Sequence, residues 1–191
     1  DKNREGFVYS EGAGVMILET LEHALARDAR IIAELIGAAA TGDAYHVSAP
    51  APNGIGASTA MSRALQNAGL APQEVDYVVA HGTGTQLNDV SETAAIKTSF
   101  GEYAYKLMIS SPKSMVGHLL GAAGAMSGTA AIMSIRDGVV PPTTNLDTPD
   151  PECDLDYVPN VKREANVRIA MANGFGFGGQ NGVAVFKAFE G

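Results

Sequence analysis

The run from Met115 to Ile135 constrains the fold more than any other part of this 191-residue chain. It is long enough to cross a bilayer, and Gly117, Gly121, Gly124 and Gly128 place small residues at helical spacing, as on a membrane helix-packing face. It also carries His118, Ser127 and Thr129, is rich in Gly and Ala, and has no second segment like it. Those features favour a helix buried in a protein core. Glycine lets another backbone approach closely, and a helix sandwiched between sheets needs that approach.

The flanking sequence supplies the sheets. Gly12–Leu18 and Ile31–Ala40 read as strands around a short helix at Thr20–Arg27, and Ser48–Gly56 has the Pro and Gly punctuation of a loop. Ala60, Met61, Ala64, Leu65 and Ala68 mark one helical face, closed by Gly69 with Pro72 beyond. Val75–Ala80 is a continuous apolar run of strand length, as in a strand covered on both faces. Asn88 or Asp89 is placed to cap a helix carrying Ala94, Ala95, Ile96 and Phe100. Leu107–Ile109 is a further short strand. After the glycine-striped helix and a Pro- and Asp-rich connection at Val140–Pro159, strands at Val167–Ala172 and Gly182–Lys187 flank the loop GFGFGGQN. Alternating strands and helices predict an α/β fold with layered sheets.

Charge and cysteine usage narrow the function. A formal net charge of -8 with scattered Lys and Arg argues against non-specific nucleic-acid binding. Cys153 is the only cysteine, so an intramolecular disulfide and a CxxC zinc site are both excluded. It lies in the acidic run Asp150, Glu152, Asp154, Asp156, where neighbouring carboxylates raise a thiol pKa and make it a poor nucleophile. That run alternates like a calcium loop but lacks the EF-hand glycine and contains Pro151, so a solvated loop is expected.

Chemistry concentrates at two histidines. His81 ends the apolar run YVVA and is followed by GTGT; His118 sits in SSPKSMVGHLLGAAGA. A histidine at the end of a buried strand lies where α/β proteins place ligands. His118 is expected at the start of the long helix, whose positive end disfavours imidazolium and leaves a neutral hydrogen-bond donor for a carbonyl. Lys113, five residues upstream, adds to the same bias. Thr83 and Thr85 offer hydroxyls to a substrate tail; the bland alternative is a turn held by its own threonines. The P-loop pattern is absent. Glu92 either complements the helix dipole or faces the pocket and pairs with Lys113. The amides of Gly174–Asn181 are candidate oxyanion donors, or that stretch is a tight turn. His23 and His46 are expected to be structural or exposed.

Taken jointly, AHGTGTQLND, SSPKSMVGHLLGAAGA, PPTTNLDTPDPECDLDYVPN and NGFGFGGQN, with DKNREGFVYSEGAG and TGDAYHVSAPAPNG, resemble the β-ketoacyl-acyl carrier protein synthases, most closely their elongating type II branch. The resemblance covers essentially the whole chain. It implies a thiolase-like layered αβαβα fold, of which residues 1–45 are the end of the N-terminal half and 46–191 the C-terminal half. It implies decarboxylative condensation of malonyl-acyl carrier protein with an acyl group held on a cysteine that has no counterpart here. His81 and His118 are then the catalytic histidines, with Lys113 and Glu92 supporting them. Phe177 is the gating phenylalanine with its amide in an oxyanion hole. Thr83 and Thr85, and more weakly Ser48, bind the phosphopantetheine arm. The resemblance implies no cofactor or metal, an acyl carrier protein as partner docking on basic residues such as Lys2, Arg4, Arg27 and Arg30, and a homodimer for the intact protein. It implies a bacterial cytoplasmic location, or a plastid or mitochondrial one, and no nucleic acid or membrane. GTGT in place of the branch's usual GTST also occurs in polyketide ketosynthases. A polyketide ketosynthase domain or a non-catalytic chain-length factor are therefore the alternatives.

Overall fold

A computed structural model describes all residues 1–191. Its centre is a five-stranded mixed sheet in the order β1-β7-β6-β2-β3. β1 (Ala33–Gly42) pairs antiparallel with β7 (Gln180–Ala188), and β7 pairs antiparallel with β6 (Ile169–Gly176). β2 (Tyr77–Val79) runs parallel to both β6 and β3 (Met108–Ser110). The sequence division after residue 45 falls just behind β1, which the sheet takes in beside β7.

Helices cover both faces. α2 (Ile55–Ala68) and α3 (Gln86–Phe100) pack on one face around Met61, Leu65, Val78, Ile96, Phe100 and Ile109. The apolar face anticipated for α2 is the buried one, and Gly69 ends the helix in the left-handed conformation at φ 68°. α5 (Ala123–Asp137) packs on the other face, where Ala131 meets Tyr77, Val79, Ala170 and Phe186. α1 (Leu21–Ala26), capped by Thr20, lies outside this core, and the two-stranded pair β4 (Val139–Val140) and β5 (Arg163–Glu164) borders it, with Val140 fully buried in the α5 cluster.

Three expectations need correcting. The glycine-striped run is not one helix. α4 (Lys113–Val116) stops at Gly117, whose φ of 77° suits glycine, and Leu120 at φ 50° breaks the chain again before α5 begins. His118 therefore lies in the break, five residues ahead of α5, and the dipole of α5 does not start at it. No helix is long and apolar enough to cross a membrane.

Second, Gly12–Leu18 is extended but has no strand partner and is not buried: Val15 is 86% and Ile17 79% exposed. It runs along α5, close enough that a Cβ on Gly14 would sit 2.9 Å from that of Ala125, and the Met16 methyl reaches Gly128. α5 thus lies between the five-stranded sheet and this unpaired segment. Third, β6 and β7 extend into the glycine loop. Only Phe177–Gly179 connects them, turned by Gly178 and Gly179 at φ 80° and 74°.

Candidate active site

The parallel strands β2 and β3 end at the same edge of the sheet, where the loops of an α/β fold gather chemistry. β2 delivers His81. Glu92, on the first turns of α3, turns back beneath it: its carboxylate accepts from the amides of His81 (2.9 Å) and Gly82 (2.8 Å) and from Asn173 Nδ2 (3.0 Å). The Ser111 hydroxyl donates to the Gly82 carbonyl at 2.5 Å, so the His81–Gly82 turn is held from both sides. The cap of α3 is Thr85, whose Oγ1 accepts from the Asn88 amide; neither Asn88 nor Asp89 takes that place. Thr83 and Thr85 lie hydroxyl to hydroxyl at 3.0 Å.

His118 comes from the break between α4 and α5. Its backbone is clamped by the chain start: its amide donates to the Val8 carbonyl (2.7 Å) and its carbonyl accepts from the Ser10 amide (3.1 Å). Its ring Nδ1 accepts from the Leu120 amide at 3.0 Å. An Nδ1 that accepts carries no proton, so the neutral ring holds its hydrogen on Nε2.

The two imidazoles meet edge to face, 5.6 Å between centroids and at 82°. Phe175 packs on His81 and Phe7 on His118, at 5.7 and 5.0 Å. Both rings line one cavity of about 980 Å³, together with Lys113, Thr83, Thr85, Ser48 and Phe177. Seven of the eight anticipated site residues thus face a single space. The eighth, Glu92, stands behind it as the brace of the His81 turn. Glu92 makes no ion pair with Lys113, because its oxygens are taken by the two amides and Asn173.

Burial sets the charge states. Desolvation, reinforced by Lys113 and His118, holds His81 well below the ordinary imidazole value of 6.5. Desolvation and Lys113 also lower His118. Lys113 itself is brought down from 10.5 to about 8, chiefly by burial, with Glu92 and Asp89 opposing. Burial raises the Glu92 carboxyl against its three hydrogen bonds. At neutral pH the site therefore presents two uncharged rings beside one lysine.

Other placements are plainer. Phe177, at the hairpin tip, is 72% exposed. Ser48 is exposed, in a loop where its amide and that of Ala49 donate to His46 Nδ1. That loop joins the hairpin through Gly178 N–H to the Val47 carbonyl and Asp43 to Asn181. Burial raises the Cys153 thiol, consistent with its dismissal as a nucleophile. Arg4 leaves the expected basic docking surface: it is buried and bonded to Asp150 and to the carbonyls of Thr85 and Gln86. Arg27 is paired with Glu19. Sequence reasoning missed Phe7, Ser111, Asn173 and Phe175. Asn173 and Phe175 flank the first glycine of the loop motif, and Phe7 lies in the opening motif, so proximity to those motifs was the available signal.

A layered α/β fold that brings two neutral imidazoles and a lysine into one cavity defines a class of site able to donate hydrogen bonds to an oxygen that gains negative charge. Comparison with known proteins gives the class its family. Residues 32–147 match the family described as "Beta-ketoacyl synthase, C-terminal domain". The chain is 53% identical over 190 residues to the 3-oxoacyl-[acyl-carrier-protein] synthase 2 of Synechocystis sp., covering 100% of this chain and 46% of that protein. It is 52% identical over 189 residues to the synthase of the same name from Staphylococcus aureus, covering 99% and 46%. Among solved structures, the ishigamide ketosynthase/chain length factor superposes with a TM-score of 0.95 at 43% identity, over 100% of this chain and 46% of that one. A type II polyketide ketosynthase bound to its acyl carrier protein and a hexaketide gives 0.88 at 41% identity, over 90% and 42%. The chain belongs to the beta-ketoacyl synthase family, and spans about half the length of the curated relatives it matches.

Proposed function

We propose that this chain is the C-terminal portion of a condensing enzyme of fatty-acid elongation. In this reading an acyl group waits on a cysteine outside the present chain, and malonyl-acyl carrier protein delivers the second substrate. The thioester carbonyl lies between His81 and His118. As the bond to the carboxyl carbon breaks, negative charge develops on the thioester oxygen, and the two rings hold it. His118 serves through Nε2–H, because Leu120 occupies its other nitrogen. A donor aimed at developing charge in such a site contributes about 3 kcal/mol to the barrier.

Burial, reinforced by the charge of Lys113, keeps both rings neutral, and Glu92 fixes the turn from which His81 projects. Thr83, Thr85 and Ser48 receive the arm that carries the malonyl group. Phe177 stands at the cavity mouth, exposed and ahead of the positive-φ glycines Gly178 and Gly179, where it swings as the substrate enters. The acyl carrier protein is the partner, and the intact protein is a homodimer.

The observation that carries the reading is the meeting of the two neutral imidazoles in one cavity from segments 37 residues apart in sequence (118 less 81). In the complete protein, His118→Ala is expected to lower malonyl decarboxylation by about a hundredfold or more while the protein stays folded; full activity in that variant rejects the assignment. The likeness to polyketide ketosynthase structures supports a second reading, synthesis of a polyketide rather than a fatty acid. Product analysis of the complete enzyme with acyl and malonyl carriers separates the two. A chain-length factor is recognised by the lack of any acyl-enzyme.

A further inference from the structure

A second cavity, of about 840 Å³, lies behind the first. The two share four wall residues, Phe7, Thr83, Lys113 and His118. The rear space is lined with hydroxyls, among them Thr93, Ser111, Ser114, Thr144 and Tyr157, and with the Cys153 thiol. Two polar groups on its wall lack partners. Lys113 is 7% exposed, and no carboxylate lies within ion-pair distance of its ammonium. The Ser10 hydroxyl is buried without a hydrogen bond. Buried polar groups are ordinarily satisfied, so the lone Ser10 hydroxyl, with the Lys113 ammonium also on the wall of an open cavity, marks a space that small molecules enter.

The reaction assigned above has two parts that leave differently. The long carrier arm enters the front cavity past Phe177 and lies against Thr83 and Thr85, so it fills the way it came in. The one-carbon fragment is released deeper, at the histidines, while the arm is still in place. We propose that the rear cavity is the exit for that fragment: carbon dioxide passes through the Thr83–Lys113 wall and leaves past Thr93, Cys153 and Tyr157. This rests on the decarboxylative reading. The step itself balances: the bond between the carboxyl carbon and the α-carbon breaks, its electron pair stays with the α-carbon and thioester oxygen as the enolate, and carbon dioxide departs with no proton or oxidant required. The rear cavity gives the uncharged fragment a space to diffuse into from its point of release, and its removal prevents recombination with the enolate.

The test narrows the rear cavity at Cys153, which lines it and not the front cavity. Cys153→Ser, Cys153→Met, Cys153→Leu and Cys153→Phe are made in the complete protein, and two half-reactions are measured. Acyl transfer to the nucleophilic cysteine uses the front cavity and releases no one-carbon fragment; malonyl decarboxylation releases one. The expected result is unchanged kinetics for the serine variant and a graded fall in decarboxylation kcat with bulk, to about tenfold, while KM and acyl transfer stay within about twofold. The methionine and leucine variants carry the series if phenylalanine prevents folding. Decarboxylation insensitive to bulk overturns the exit route and leaves the proposed function standing. An equal loss in both half-reactions shows a structural role and also overturns it. A wild-type protein that transfers acyl groups but never decarboxylates removes the functional reading and the exit with it.

Discussion

At the scale of single residues the site is governed by what burial does to bases. His81 and His118 both titrate below 6.5 in the folded chain. Between the folded and unfolded values the unfolded chain binds more protons, so their contribution to stability rises with pH through that window and declines as pH drops from 6.5. Lys113, at about 8 against 10.5 when free, has the same sign over its own window. The urea midpoint is therefore expected to fall on acidification below 6.5, and His81→Asn to lose part of that fall; equal acid sensitivity in the variant refutes the burial argument. Glu92 is the residue whose loss costs structure first. Glu92→Ala leaves the His81 and Gly82 amides without acceptors, an expected loss of about 3 kcal/mol by denaturant titration.

Elements explain which parts of the fold could be read beforehand. α2 was legible because Ala60, Met61, Ala64 and Leu65 repeat at helical spacing and Gly69 ends them. β2 was legible as an apolar run. The histidine pair was legible because each follows such a run beside glycine. The break at Gly117–Leu120 was not, since hydropathy continues through it. What interrupts the helix is contact: a Cβ on Gly117 would lie 2.8 Å from that of Ser10 and 3.0 Å from the Val8 carbonyl. Pairing between residues far apart in the sequence leaves no local signature. For the same reason the Glu92–Asn173 contact, joining α3 to β6, escaped sequence reasoning. Gly117→Ala combines that crowding with a φ of 77°, and is expected to destabilise the chain by about 2 kcal/mol, measured by thermal or urea unfolding. A loss no larger than that of Gly121→Ala, where nothing crowds the Cβ, contradicts the account.

The whole molecule has one well-covered sheet and one uncovered flank. Val8 and Tyr9, on the stretch bonded to His118, and Val15, Ile17 and Leu18, on the unpaired segment that follows, are each more than two-thirds exposed. An exposed extended segment with free amides and carbonyls pairs readily with other chains. The 191-residue chain alone is expected to bind a dye for apolar surface and to self-associate with rising concentration, measured by light scattering. Substituting Lys for Val15 and Ile17 should suppress both. A monomeric, dye-free wild-type chain contradicts this.

That flank begins at the two backbone bonds that grip His118 through Val8 and Ser10. The strand awaiting neighbours and the strap on the imidazole are thus one stretch of polypeptide. Covering the outer side of this stretch is therefore expected to steady the strap and, through it, the bearing of the His118 ring.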